Sequence, residues 1–398
     1  MPHQQEKPNI VWPTALMLSM TAIIAVIAVP WYQMTFGFEW THWLAFMVFA
    51  ATNGLAITAG YHRLWAHNAY KAHPIMRLLL ALFGAASFQN SILVWCSQHR
   101  RHHRHVDDNE KDPYSAGLGL WFSHIGWMLR DYPNGADDFS NVKDLQRDKI
   151  VAWQHKHYYS IALIMNFAPP LLLGAITGQY LAYFLLMGVL RLVYSHHTTF
   201  FVNSLAHYWG SRPYSSENTA RDNGFIAFLT YGEGYHNYHH IFQNDYRNGV
   251  RWFHYDPTKW LIKICSWLGL SYDLRATPKF KIRQAMVARQ LELASDKLTN
   301  PTFINTIKLR IGAIEYIQWR AAIEEQIDNE HQQLTALLDE WKTIHSKWVI
   351  AKREQLVVAK QSMQASLDLH NLKHKLKDLE YSVVQQYRRV SYVNGVLT

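Results

Sequence analysis

Long stretches without a charged side chain alternate along this chain with short, densely charged ones. No Asp, Glu, Lys or Arg occurs in residues 8–38, 40–62 or 157–190. A helix rises ~1.5 Å per residue and a bilayer's hydrocarbon core is ~30 Å thick, so uncharged apolar runs of this length predict membrane-spanning helices. Four spans are expected, about 12–32, 40–60, 159–177 and 180–200. The last two form a hairpin parted around Gly174 and Gly178, with Pro169 and Pro170 inside the third. The first run is longer than a signal-peptide core and reads as a retained span. Arg191, in the fourth, is expected to snorkel or to face the bundle interior.

Another apolar stretch, 78–98, is long enough to cross, but histidines flank it on both sides. Crossing would put His62 and His67 on one face of the membrane and His99, His102 and His103 on the other. The stretch is therefore expected to pack under the membrane surface, leaving all five on one side.

Beyond Thr277 the pattern turns polar. Leu334, Leu337, Trp341, Ile344, Trp348 and Ala351 step by three and four, as do Ala365, Leu369, Leu372, Leu376, Leu379 and Val383. These are short heptad seams with a phase slip near Gln355–Ala359. They suit a helical hairpin, a partner-binding helix or an amphipathic helix packed on its own domain. The expected architecture is all-α: a polytopic membrane domain over 1–277 and a heptad-patterned extension over 278–398.

Composition adds little to this picture. The net charge of +9 over 398 residues suits basic loops on the cytoplasmic side, and no nucleic-acid motif accompanies it. Sixteen Trp and twenty-two Tyr suit interfacial belts. Two cysteines, Cys96 and Cys265, make neither a disulfide framework nor a CxxC pair.

Histidine changes the picture. Of 23 histidines, nine fall in four patches: "HRLWAH" (His62, His67), "HRRHH" (His99, His102, His103), "NSLAH" (His207, with Asn203 one turn earlier) and "HNYHH" (His236, His239, His240). One such cluster alone reads best as a solvated basic loop. The H-x-x-H-H spacing, found twice, puts positions i, i+3 and i+4 on one helical face, so three imidazoles should converge. His62 and His67, five apart, should diverge by ~140° on an α-helix and flank a site. Nine neutral imidazoles are too many for one ion and predict a dinuclear nitrogen-ligated site, for which Fe, Zn, Cu and Ni are all soft enough. His73, His105, His124, His155, His157, His196 and His197 fall outside the spacing. His370 and His374 are i, i+4 but read as a solvated face.

At these patches the chain resembles the membrane-bound fatty acid desaturases, in particular the acyl-CoA delta-9 (stearoyl-CoA type) branch. "AGYHRLWAH", "FQNSILVW", "QHRRHH", "FFVNSLAH", "GEGYHNYHH" and "DYRNGVRWFHYDPTKW" follow that branch in order and spacing over roughly residues 12–275. The resemblance implies a four-helix membrane stem with a cytosolic cap holding two Fe ions on the nine histidines, Asn203 reaching one through water. It implies O2 as co-substrate, a long-chain fatty acyl thioester (acyl-CoA) as substrate, and removal of two hydrogens to leave a cis double bond. Trp95, Gln89 and Thr199 match residues at the bend of the family's acyl tunnel, Asn90 a substrate-binding residue of the element near the CoA phosphates, and Phe46 and Ala50 the far end. Ser97 stands where that branch has an arginine near the CoA phosphates, and Phe200 where it has a tryptophan. No His-Pro-Gly-Gly haem signature is present, so a separate ferredoxin- or cytochrome-type electron donor with its NAD(P)H reductase is implied. An acyl-lipid desaturase, a di-iron alkyl or lipid hydroxylase and a membrane metal transporter are the competing readings. A bacterial inner membrane, with the site facing the cytoplasm, is expected before an endoplasmic reticulum.

Overall fold

The computed structural model describes residues 8–357 and 363–397. These divide into two compact units, 8–212 with 218–276, and 213–217 with 277–357 and 363–397. Both are helical; one two-residue antiparallel pairing, Lys71–Ala72 with Ser271–Tyr272, is the sheet content of the described residues.

Among the described residues of the first unit, three helices are long and apolar enough to cross a membrane: Trp12–Thr35, Trp40–Ala66 and Tyr158–Thr177. Their outward faces are apolar, as lipid requires: Leu16, Met20, Ile23 and Ile27 on the first helix and Leu163, Ile164 and Leu171 on the third are all exposed. The fourth expected span is helical throughout, from Tyr180–Tyr183 through a π-helical Phe184–Leu190 to Arg191–Asn203. Arg191 and the histidines and hydroxyls after it make it less apolar than the other three. Arg191 itself is fully buried, so of its two expected placements it takes the inward one.

The stretch 78–98 is not one helix. Pro74–Ala85 ends at Gly84–Ala86, the chain turns through left-handed Phe88 and Asn90, and Ile92–His105 begins with Ser91 as its cap. Twelve residues reach only ~18 Å at ~1.5 Å each, so Pro74–Ala85 cannot cross. It buries Met76, Leu80 and Ala81 and exposes Ile75, Leu78 and Leu79.

The second unit packs Lys279–Thr299, Ala313–Val357 and Met363–Val396 around a shared core. Leu334, Trp341, Ile344, Leu379 and Val383 of the heptad seams are buried there, and Phe280 stacks on Trp341 with centroids 5.1 Å apart. Packing of the seams on each other and within their own unit, as the hairpin and own-domain expectations had it, is realised. The side chains at the expected phase slip, Gln355–Ala359, and that of Ala365 lie outside the described residues.

Candidate metal centre

Nine imidazoles meet in the first unit, in two groups. His62, His67, His99, His103 and His239 form one; His102, His207, His236 and His240 form the other, and within each group the ring nitrogens lie within 4.8 Å of one another. All nine expected histidines are brought together. Their grouping differs from the expectation in two ways.

First, each H-x-x-H-H box is split. His99 and His103 enter the first group and His102 the second, while His236 and His240 enter the second and His239 the first. Consecutive helix positions point ~100° apart, so i+3 and i+4 share a face without sharing a target. Each short helix thus contributes to both groups and holds them side by side, with His103 and His240 stacked across the divide at 4.3 Å.

Second, His62 and His67 do not diverge. Residues Ala56–Ala66 are π-helical, and the His67 amide donates to the His62 carbonyl at 3.1 Å. In this i→i+5 geometry residues five apart stack one turn above the other. The two rings sit 4.8 Å apart in one group.

A layer of polar groups fixes the rings from behind. Asp112 meets Nδ1 of His102 and Glu233 lies 2.9 Å from Nδ1 of His62. Nδ1 of His207 is 2.8 Å from the Thr219 hydroxyl, which Asp107 holds in turn, and Tyr114 is 3.2 Å from Nδ1 of His99. Glu233 also accepts from Arg63, which Asp256 shares; although burial raises it, His62 and Arg63 keep its carboxyl below the ordinary range. These supporting residues escaped the sequence reading. Glu233 lies inside the quoted "GEGYHNYHH", but Asp112 and Thr219 carry no local pattern. In the same motif Gly234 has no alternative: a Cβ there would lie 2.1 Å from the Ala227 nitrogen.

The donor set fits cations. Every one of the nine rings points Nε2 inward. A ring nitrogen has a single in-plane site for a proton or a lone pair. Yet Nε2 of His236 lies 3.1 Å from that of His207 and 3.0 Å from that of His240, and Nε2 of His239 meets both His62 and His103. Hydrogen bonds between the rings cannot satisfy such crossings. Where a carboxylate takes the Nδ1 proton, as at His102, Nε2 is left as a lone pair, the state of a metal ligand. Burial, then neighbouring cations and rings, push His67, His99, His103, His236, His239 and His240 well below the ordinary imidazole value, and burial and His102 do so for His207. They are neutral at pH 7.

Comparison with known proteins agrees with this arrangement. The model of the fatty acid desaturase family matches residues 38–275, more than half of the chain. The chain belongs to the fatty acid desaturase family. It is 44% identical over 274 residues to a probable acyl-CoA desaturase of Schizosaccharomyces pombe, covering 69% of this chain and 56% of that one. Acyl-CoA desaturase 1 of Saccharomyces cerevisiae is 38% identical, over 70% of this chain and 56% of its own length. Stearoyl-CoA desaturase 5 of Bos taurus is 36% identical, over 69% of this chain and 82% of its own. The chain therefore spans little more than half the length of the two yeast relatives.

One cavity adjoins the nine histidines and a second lies beside it. A small one of about 40 Å³ is lined by Ile57, Thr58, His62, Trp95, His99 and Tyr231, among others. A larger one of about 240 Å³ includes Phe88, Gln89, Asn90, Arg130 and Phe200. Trp95, Thr199 and Asn203 line both, so the cavities meet at the residues expected at the tunnel bend. Trp95 stacks on His99 at 4.8 Å, and the Gln89 amide donates to the Thr199 hydroxyl at 3.0 Å. Phe46 and Ala50 line neither cavity. Ala50 is buried behind the wall, its carbonyl accepting from Tyr231, and Phe46 meets Tyr194 edge-on. Ser97 is buried and donates to the Asp138 carbonyl, so it offers nothing to a phosphate. Phe200 is buried against His196 with rings near parallel.

Proposed function

We propose that the protein is an oxygen-dependent fatty acyl desaturase that introduces a cis double bond at the delta-9 position of a saturated acyl-CoA. The observation that carries this reading is an apolar cavity lined by His62 and His99, of one of the two groups of inward-pointing imidazoles, together with Trp95 and Thr199. The nine histidines would hold two Fe ions, with Asn203 beside them. Bound iron supplies, with O2 and electrons, the redox power to break an unactivated C–H bond, which no side-chain acid or base can do. The chain's own residues do the rest. Ile57, Thr198 and Val202 exclude water along the acyl chain, while Gln89, Asn90 and Arg130 face the wider cavity where a polar head belongs. The relatives' names, acyl-CoA and stearoyl-CoA desaturase, support the thioester substrate. With Ser97 turned inward, a phosphate contact falls to Arg130, whose Nη1 is engaged by the Pro8 carbonyl.

Electrons come from a separate ferredoxin- or cytochrome-type protein and its NAD(P)H reductase. The compartment expected from the sequence, a bacterial inner membrane with the site facing the cytoplasm, stands beside named relatives that are eukaryotic.

The test supplies saturated acyl chains, oxygen and a reductase–donor pair to membranes carrying the chain, beside a His236→Ala control. A monounsaturated acid made only by the unaltered chain is the expected product, and its bond position reads the regiochemistry. A hydroxy acid instead would assign a hydroxylase. No product from correctly inserted, reduced protein would leave the transporter reading in its place.

A further inference from the structure

Residues 83–92 form the strap on which the cavity wall is built. Its middle is strained: Phe88 and Asn90, neither of them glycine, both have positive φ, 52° and 72°. Such conformations persist only where the surroundings over-determine them. Here the surroundings are polar side chains buried in the membrane-spanning helices. Asn53 donates to the Phe83 carbonyl at 2.5 Å, and His196 Nε2 lies 2.8 Å from the Ser87 carbonyl. The Ala86 carbonyl receives two donors, Arg191 Nη1 at 2.9 Å and Asn166 Nδ2 at 3.0 Å. Beyond the bend, the Asn90 amide donates to the Tyr158 hydroxyl at 3.0 Å and the Ile92 amide to Gln154 at 3.1 Å.

Arg191 is the unusual member. It is fully buried, and its guanidinium is held by the Met187 and Ala86 carbonyls, the Asn166 amide oxygen and the face of Phe49. None of those groups is an acid. A cation at membrane depth with neutral partners is costly to keep, and such residues are characteristically functional. Its reach ends on the strap: Arg191 grips Ala86, two residues before Phe88 and three before Gln89, both of which line the large cavity. Gln89 closes the bend by crossing to Thr199, two helical turns from Arg191 on the same helix.

We propose that Arg191 and Asn166 are positioning residues: together they clamp the Ala86 carbonyl, hold the Phe88–Asn90 bend against the acyl chain and so set which methylene pair lies beside the histidines. This rests on the desaturase reading and deepens it by assigning bond position to a polar clamp inside the membrane helices. A clamp that merely tied helices together would change the amount of folded protein and leave bond position alone.

The experiment uses the full chain in membranes, comparing Arg191→Met, Arg191→Lys and Asn166→Leu with the unaltered protein. Double-bond position is read by mass spectrometry, and amide exchange is followed over residues 83–92. The expected result is a second positional isomer from Arg191→Met and Asn166→Leu. Arg191→Lys, which keeps one donor for Ala86, should stay nearer the parent. Exchange at the strap should quicken by roughly tenfold in Arg191→Met. Inserted Arg191→Met or Asn166→Leu that turns over with an unchanged bond position overturns the specificity role, whatever its yield. If the parent itself makes no alkene, the desaturase reading fails instead. Strap exchange then decides the clamp: faster exchange supports it and unchanged exchange removes it.

Discussion

Both carboxylate oxygens of Asp112 lie 2.9 Å from Nδ1 of His102. The same carboxylate accepts the backbone amides of Asp107 and Tyr114, so it is aimed before any ion arrives. This fixes the tautomer that leaves Nε2 of His102 free. Asp112→Asn keeps the shape and weakens the acceptor. Metal affinity of the His102, His207, His236, His240 group should fall by about 10–100-fold, measured by chelator competition on detergent-purified protein. Unchanged competition would show that backbone packing alone orients the ring.

Arg63 stands between two buried carboxylates, 2.9 Å from Glu233 and 3.0 Å from Asp256. Removing one partner of a buried ionic cluster leaves the others uncompensated, at a cost of roughly 3–5 kcal/mol. Arg63→Met should lower the thermal midpoint accordingly, and adding Glu233→Gln should recover part of the loss. Additive losses in the double variant would contradict this coupling.

Asp222 carries a pH dependence of its own. Burial raises its carboxyl to about 7, against the pull of the Tyr238 and Asn237 amides. A group raised on folding favours the folded state below its unfolded value of ~3.9, and that contribution is lost as pH rises through the folded value. Asp222→Asn keeps an acceptor for the Tyr238 amide without the titration. The variant should gain stability relative to the parent as pH is raised from 4 to 8, followed by thermal unfolding at each pH. A constant difference across that range would mean Asp222 does not titrate in it.

In the second unit Glu330 is buried and receives Arg389 at 2.7 Å and Gln386 at 3.0 Å. Arg389→Met leaves that carboxylate with Gln386 alone, a loss of about 1–3 kcal/mol. Amide exchange should rise along Ala313–Val357 and Met363–Val396 and stay unchanged in the first unit. A uniform rise would argue against independent units.

Three of the four expected spans and the nine histidines were legible because each follows from a local rule, apolar run length in one case and helical spacing in the other. What hid was geometry that depends on the partner surface. An α-helical reading of His62 and His67 is correct arithmetic on the wrong helix, because nothing in "AITAGYHRLWA" announces i→i+5 bonding. The division of each box between two groups depends on where the opposing helix stands. Asp112 and Thr219 reach their histidines only through the tertiary fold. Phe46 and Ala50 were placed at the tunnel's end by resemblance; neither lines either of the two cavities.

The π-helical segment makes the site sensitive to chain length in a way that composition does not reveal. Side chains between Ala56 and Tyr61 can be exchanged for others of similar bulk while His62 keeps its heading. Deleting one of those residues would let the backbone relax to ordinary α geometry and swing His62 by ~100° away from His67 and His239. Among descendants of this gene, insertions and deletions should therefore be purged from 56–67 even where substitutions accumulate.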